Sequence, residues 1–180
     1  MSSIIKYKDK KFIEHLSSDA IQRSIKKIAL DINSEYKNKN PLFIGILNGS
    51  VPFMMDLLNH IDIEYQYEFM KISSYNSMNR DKIKLLLDID ADRIKYNDII
   101  IVEDIIDSGN TIEYLRNKML ACNPNSLKVV TLLCKSKKTS LSDWYCFELK
   151  KNKYVIGYGL DINNLFSNLN SIYIENNEKK

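Results

Sequence analysis

Apolar positions along the chain keep two alternating rhythms, one of helices and one of strands. Ile21, Ile25, Ile28, Ala29 and Ile32 repeat at the 3.6-residue spacing of a helix face. Ser17 or Ser18 stands where a cap belongs, and residues 38–41 end the pattern. Leu42–Leu47 is an unbroken apolar run, as expected of a strand covered on both faces. It closes on Asn48-Gly49-Ser50, with Ser50 placed to cap and Pro52 in the first turn, which predicts a helix to about His60. Ile63, Tyr65, Tyr67 and Phe69 alternate with Glu64, Gln66 and Glu68 and predict a half-exposed strand. Residues 73–81 are polar and predict a mobile loop, with a strand returning over residues 82–89. Residues 99–102 and 127–134 predict two further buried strands, with a helix through Ile112, Leu115 and Met119 to about Cys122 between them. Short strands are expected at Ile4–Tyr7, Trp144–Leu149 and residues 154–158, then a loop or short helix over residues 161–169 and a frayed tail.

Strands alternating with helices predict an α/β fold built on a doubly wound, mostly parallel sheet. Residues 1–180 fit a single domain, with a core of about residues 36–135 and a small hood lobe from about residues 1–35 and 136–180. Composition changes this picture little: 44% hydrophobic and 27% charged residues are ordinary for a globular chain. A net charge of +3 gives no ground for nucleic acid or a membrane surface as partner. Cys122, Cys134 and Cys146 are odd in number and form no C-x-x-C pair. They predict reduced thiols in a cytoplasmic protein, not a disulfide frame or a metal site. The first twelve residues hold no long apolar run, so neither a signal peptide nor a membrane span is expected.

Candidate chemistry concentrates in residues 97–111, NDIIIVEDIIDSGNT. The buried strand leads into Glu103 and Asp104, then Asp107, then Ser108-Gly109-Asn110-Thr111 at a helix start. A glycine-bearing turn into a helix makes an anion cradle, because the first helical turn has unpaired N–H groups and a positive dipole end. Acids and anion cradle thus share the carboxyl end of a parallel strand, where open α/β sheets place ligands. Asn48-Gly49 closes a second strand-loop-helix unit of the same kind. Neither G-x-G-x-x-G nor Gly-Lys-Ser/Thr occurs, which argues against dinucleotide and P-loop sites.

VEDIIDSGNT resembles the phosphoribosyl-pyrophosphate motif of the type I phosphoribosyltransferases, in the form carried by hypoxanthine-guanine phosphoribosyltransferases. Further matches are spread over residues 42–169. The resemblance implies the type I fold and transfer of a ribosyl phosphate to hypoxanthine or guanine, giving IMP or GMP and pyrophosphate. It implies that Glu103 and Asp104 hold the ribose hydroxyls and help place Mg2+. Asp107 would act in proton transfer near the purine N7, and Asp107, Ser108, Gly109, Asn110 and Thr111 would hold the 5′-phosphate. Asn48-Gly49 matches the turn that receives pyrophosphate, often with a non-proline cis peptide, and Ser74-Tyr75 matches a pair in a mobile lid. Lys135 would donate to the purine 6-oxo group, Tyr154 would stack on the base, and Val155 would meet its edge. Asp161 completes the purine side and reaches Mg2+, partly through water.

Plainer roles compete for each of these: solvated acids, helix capping, a hairpin tip, core packing. The sequence also departs from the family. Ser167 stands six residues after Asp161 where an arginine is usual, and Thr139, beside Lys138, stands where a second basic residue is usual. Asn48 takes a place that some relatives give to lysine. Expected partners are the small molecules alone, in a homodimer or homotetramer. The alternative is a regulator that binds phosphoribosyl pyrophosphate with little catalysis. Loss of the arginine favours it, and retention of Asp107, Lys135, Tyr154 and Asp161 opposes it.

Overall fold

The computed structural model describes residues 4–77, 80–149 and 153–176, with residues 74–77 and 80–82 described by backbone alone. In chain order the elements are β1 (Ile4–Tyr7), β2 (Lys10–Leu16), α1 (Ser18–Glu35), β3 (Leu42–Leu47), α2 (Val51–Leu58), β4 (Gln66–Ser77) and β5 (Arg80–Leu87). There follow α3 (Ala91–Ile94), β6 (Asp98–Ile106), α4 (Asn110–Leu120), β7 (Ser126–Lys135) and a 3-10 turn (Ser136–Leu141). The chain ends with β8 (Trp144–Leu149), β9 (Val155–Ile156) and β10 (Ile172–Glu175).

The large sheet has the order β5-β4-β3-β6-β7-β8, parallel throughout except for the antiparallel β4–β5 edge. Its central strands are apolar on both faces because both faces are covered. Phe43, Ile100, Val102, Val130 and Leu132 face α1 and α2, while Leu42, Ile44, Ile46, Ile99, Ile101 and Val129 face α3 and α4. Helix α1 buries the expected stripe, and the Ser17 hydroxyl accepts the Ala20 N–H at 3.3 Å as its cap. Each isoleucine in that stripe contributes about 1.5–3 kcal/mol by leaving water. Gly45 lets β3 approach its neighbours, since a Cβ there would strike Met54 and Phe69.

Four expectations need correction. The polar stretch expected as a loop at residues 73–81 is strand at its described positions: β4 runs to Ser77 and pairs with β5 from Arg80. Polar side chains report exposure, and an edge hairpin satisfies its backbone by pairing whatever the side chains are. The strand expected at residue 63 starts at Gln66, and Tyr65 before it packs edge-on against Phe43 at 5.8 Å. Ser50 precedes α2 without capping it; its buried hydroxyl donates to the Ile46 carbonyl at 2.6 Å. Finally, sheet membership divides the chain differently from a cut near residues 36 and 135. Strand β8 pairs in parallel with β7, and α1 packs in the main core. The small lobe is the antiparallel sheet β1-β2-β10-β9, in which β2 and β10 were not foreseen. No helix among the described residues is long and apolar enough to cross a membrane.

Candidate active site

Parallel pairing of β6 with both β3 and β7 brings the carboxyl ends of all three strands to one edge. Strand β6 continues to Ile106, so Glu103 and Asp104 lie within it and not beyond its end. Glu103 is only 9% exposed, and its Oε2 is buried without a hydrogen-bond partner among the described residues. Burial lifts its carboxyl well above the ordinary range, and the adjacent Asp104 adds to the lift. Burial raises Asp104 as well, against the Ile105 N–H that it accepts at 2.7 Å, and the charge of Asp161 raises it further. Two acids kept this dry hold a proton or draw a cation.

The turn after β3 closes onto this pair. The peptide between Leu47 and Asn48 is cis. A Cβ on Gly49 would overlap the Asp104 carboxylate, so only glycine fits against the acid. Gly49→Ala should therefore push Asp104 out of place and lower kcat/KM for the sugar pyrophosphate that the sequence resemblance implies about 10- to 100-fold, read by steady-state kinetics. An unchanged kcat/KM would show that Asp104's position is immaterial.

Beyond β6, Gly109 has φ 87° and precedes α4 in the left-handed conformation. Leu141 and Lys138 of the 3-10 turn occupy the space a Cβ would need, so the cradle is closed from that side. Asp107, Ser108 and Asn110 are exposed around it, and the Ser108 hydroxyl accepts the Asn110 N–H at 3.4 Å. Thr111 is half-buried in the first turn of α4. Lys135, at the end of β7, forms an ion pair with Asp107 Oδ1. That contact follows from the register, which sets Ile106 beside Cys134 and so carries the next residues out together.

The small lobe reaches the same edge through residues 154–169. The Tyr154 hydroxyl donates to the Asp161 carbonyl at 2.9 Å, and its exposed ring meets Phe12 edge-on at 6.5 Å. Val155 is buried in β9. Asp161 Oδ1 accepts the Asn164 N–H at 2.9 Å. A cavity of about 320 Å³ opens beside it, lined by Asn48, Gly159, Asp161, Asn164, Ser167 and Asn168 among others.

The expected residues thus fall into two linked groups. Asn48, Gly49, Glu103, Asp104 and Asp161 form one, and the cradle with Asp107 and Lys135 forms the other. Glu103, Asp104 and Asp161 do not form a three-ligand metal cluster, and no such group occurs among the described residues. The reason is that Asp161 stands on a separate loop, bonds Asn164, and reaches Asp104 through its charge. The side chains of Ser74, Tyr75 and Arg80 lie outside the described residues, so the lid pair is placed only on β4. Sequence reasoning did not single out Asn164 and Asn168, which line the cavity beside Asp161. No sequence pattern marks either one.

Comparison with known proteins supplies the family. A family model described as "phosphoribosyl transferase domain" matches residues 15–163. A hypoxanthine-guanine phosphoribosyltransferase of Streptococcus pyogenes is 39% identical over 158 residues, covering 85% of this chain and 87% of that one. The Bacillus subtilis enzyme of the same name is 38% identical over 159 residues, with coverage of 86% and 87%. Among solved structures, the Leishmania donovani hypoxanthine-guanine enzyme superposes with a TM-score of 0.82 at 31% identity, covering 91% of this chain and 99% of its own. A Trypanosoma cruzi hypoxanthine phosphoribosyltransferase complexed with IMP gives 0.83 at 28% identity, with coverage of 97% and 94%. Similarity that spans nearly the whole of each partner, in sequence and in fold, leaves one assignment: the chain belongs to the phosphoribosyl transferase family and has the type I fold.

Proposed function

We propose that this protein is a purine-salvage transferase that joins hypoxanthine or guanine to the ribosyl phosphate of 5-phosphoribosyl 1-pyrophosphate. The products are IMP or GMP and pyrophosphate. The observation that supports the site assignment is the Asp107–Lys135 ion pair at the lip of the anion cradle. A 6-oxopurine docked there would need a proton acceptor and a pure donor, and the pair offers one of each.

Ser108, Gly109, Asn110 and Thr111 bind the 5′-phosphate through backbone N–H groups and two hydroxyls. Glu103 and Asp104 accept hydrogen bonds from the ribose hydroxyls. Asn48 and Gly49 receive the pyrophosphate. Lys135 donates to O6, Tyr154 stacks on the base, and Val155 meets its edge. Asp107 accepts a proton at N7 as N9 bonds to C1′ and pyrophosphate leaves. Ser74 and Tyr75 belong to the lid that covers the reacting sugar.

The residues fit Mg2+ held jointly with substrate. Glu103 offers an unpartnered carboxylate oxygen, and Asp104 and Asp161 add charge beside it. A magnesium ion is suited by one or two carboxylates completed by phosphate oxygens and water. When bound it would neutralise charge on the departing pyrophosphate. The free thiols Cys122, Cys134 and Cys146 accord with a cytoplasmic protein, and a homodimer or homotetramer is the assembly that the sequence resemblance implies.

Purified protein supplied with magnesium, phosphoribosyl pyrophosphate and one purine base at a time tests this. IMP should form from hypoxanthine and GMP from guanine. Adenine should be poorer by about 10³-fold or more in kcat/KM, since its 6-amino group presents donors to a lysine that has only donors. No nucleotide from any base would refute the transferase.

A further inference from the structure

Residues 157–159 place three left-handed backbones in a row: Gly157 at φ 96°, Tyr158 at φ 52° and Gly159 at φ 94°. Glycine takes such angles freely, whereas a bulky side chain takes them against steric opposition. Contacts must therefore hold Tyr158 in place. Its ring is 6% exposed and lies in the core shared with α1 and α2. Its hydroxyl donates to Asp56 Oδ2 at 2.5 Å and lies 3.4 Å from the Pro52 carbonyl. Its N–H donates to the Leu169 carbonyl at 2.8 Å. Gln22 of α1 bonds the same Asp56 oxygen at 2.5 Å, so the acceptor is itself fixed. Burial and then the Asp56 bond push the phenol's pKa up, and the hydroxyl stays a donor at any physiological pH.

What this anchor holds is the approach of the small lobe to the pyrophosphate turn. A Cβ on Gly159 would overlap the Gly49 carbonyl and crowd Pro52, so the two loops touch backbone to backbone. Asp161 follows two residues later, and the 320 Å³ cavity lies between Asn48 on one side and Asp161, Asn164 and Ser167 on the other. Asp56 stands on α2, which begins directly after the Asn48–Gly49 turn.

We propose that Tyr158 and Asp56 are a positioning pair that clamps the Gly159–Asp161 segment onto the Asn48–Gly49 turn and so sets the fit of the subsite for the diphosphate of phosphoribosyl pyrophosphate. Neither residue is assigned a contact with substrate. The proposal rests on the transferase reading, and it predicts that losing the pair separates the two substrates kinetically: the diphosphate-bearing one suffers and the purine does not.

The test compares wild type with Tyr158→Phe, Asp56→Ala and Asp56→Asn. KM is measured for each substrate, pyrophosphate binding by calorimetry, and Tm by thermal unfolding. Tyr158→Phe and Asp56→Ala should each raise KM for phosphoribosyl pyrophosphate and weaken pyrophosphate binding about tenfold, with the hypoxanthine KM within about twofold. Asp56→Asn keeps an acceptor oxygen and should restore most of what Asp56→Ala loses. Unchanged pyrophosphate binding in both variants overturns the clamp. So does an equal rise in both KM values accompanied by a fall in Tm, which marks general loosening. A wild-type protein that transfers nothing defeats the transferase reading instead, and pyrophosphate binding then still decides the clamp.

Discussion

Asp107→Ala should lower kcat by about 10²- to 10⁴-fold at saturating substrates, the range expected when a general base is lost. The residue is well placed for that effect. It stands at the open lip of the cradle, mostly exposed, with its carboxylate against Lys135. Structurally its removal is mild, because Gly109 and not Asp107 sets the turn into α4. Asp107→Asn sharpens the point. The amide keeps the shape and much of the hydrogen bonding but accepts no proton, so its kcat should fall nearly as far. A kcat for Asp107→Asn within tenfold of wild type would remove Asp107 from proton transfer and leave it a cradle residue.

Neutralising the buried acids should produce opposite effects on binding and stability. In Glu103→Gln/Asp104→Asn, KM for phosphoribosyl pyrophosphate should rise about 10²- to 10⁴-fold, since hydrogen bonds to charged acceptors contribute about 1.5–3 kcal/mol each. Stability without ligand should move the other way. Both carboxyls sit above their ordinary values of 4.5 and 3.8 because burial penalises their charge. In the window above 4.5 the folded protein binds more protons than the unfolded chain, so stability falls as pH rises through the raised values. The neutral variant escapes this loss. Its Tm should equal that of wild type near pH 4 and exceed it at pH 8, with a flatter slope between. A wild-type Tm that climbs relative to the variant from pH 4 to pH 8 would mean the acids are stabilised as anions, contrary to their burial.

Much of this site could be read in the sequence because its parts are contiguous. Residues 99–111 carry strand, acids, glycine turn and helix start in one run, and local rules suffice to order them. Lys135 was singled out by the family resemblance alone, since a lysine that ends an apolar strand is ordinarily just solvated. What escaped depends on distant pairing. Tyr158 and Asp56 are 102 residues apart, and nothing near Asp56 in α2 marks it as an acceptor. Strand β2 begins with two lysines and fully buries only Phe12, so its period is faint. Strand β8 has an exposed, mixed pattern that fits either lobe, and only its parallel ladder to β7 assigns it to the large sheet. The polarity of β4 and β5 hid a hairpin whose backbone hydrogen bonds are indifferent to side-chain type.

The site at the end of β6 is tested most directly by calorimetric titration of the magnesium complex of phosphoribosyl pyrophosphate into the protein near pH 7. Saturable binding of one equivalent per chain is expected. The Glu103→Gln/Asp104→Asn protein should bind at least about 100-fold more weakly. Equal affinity in the two proteins, or no saturable heat with wild type, would contradict a sugar-pyrophosphate site on these acids.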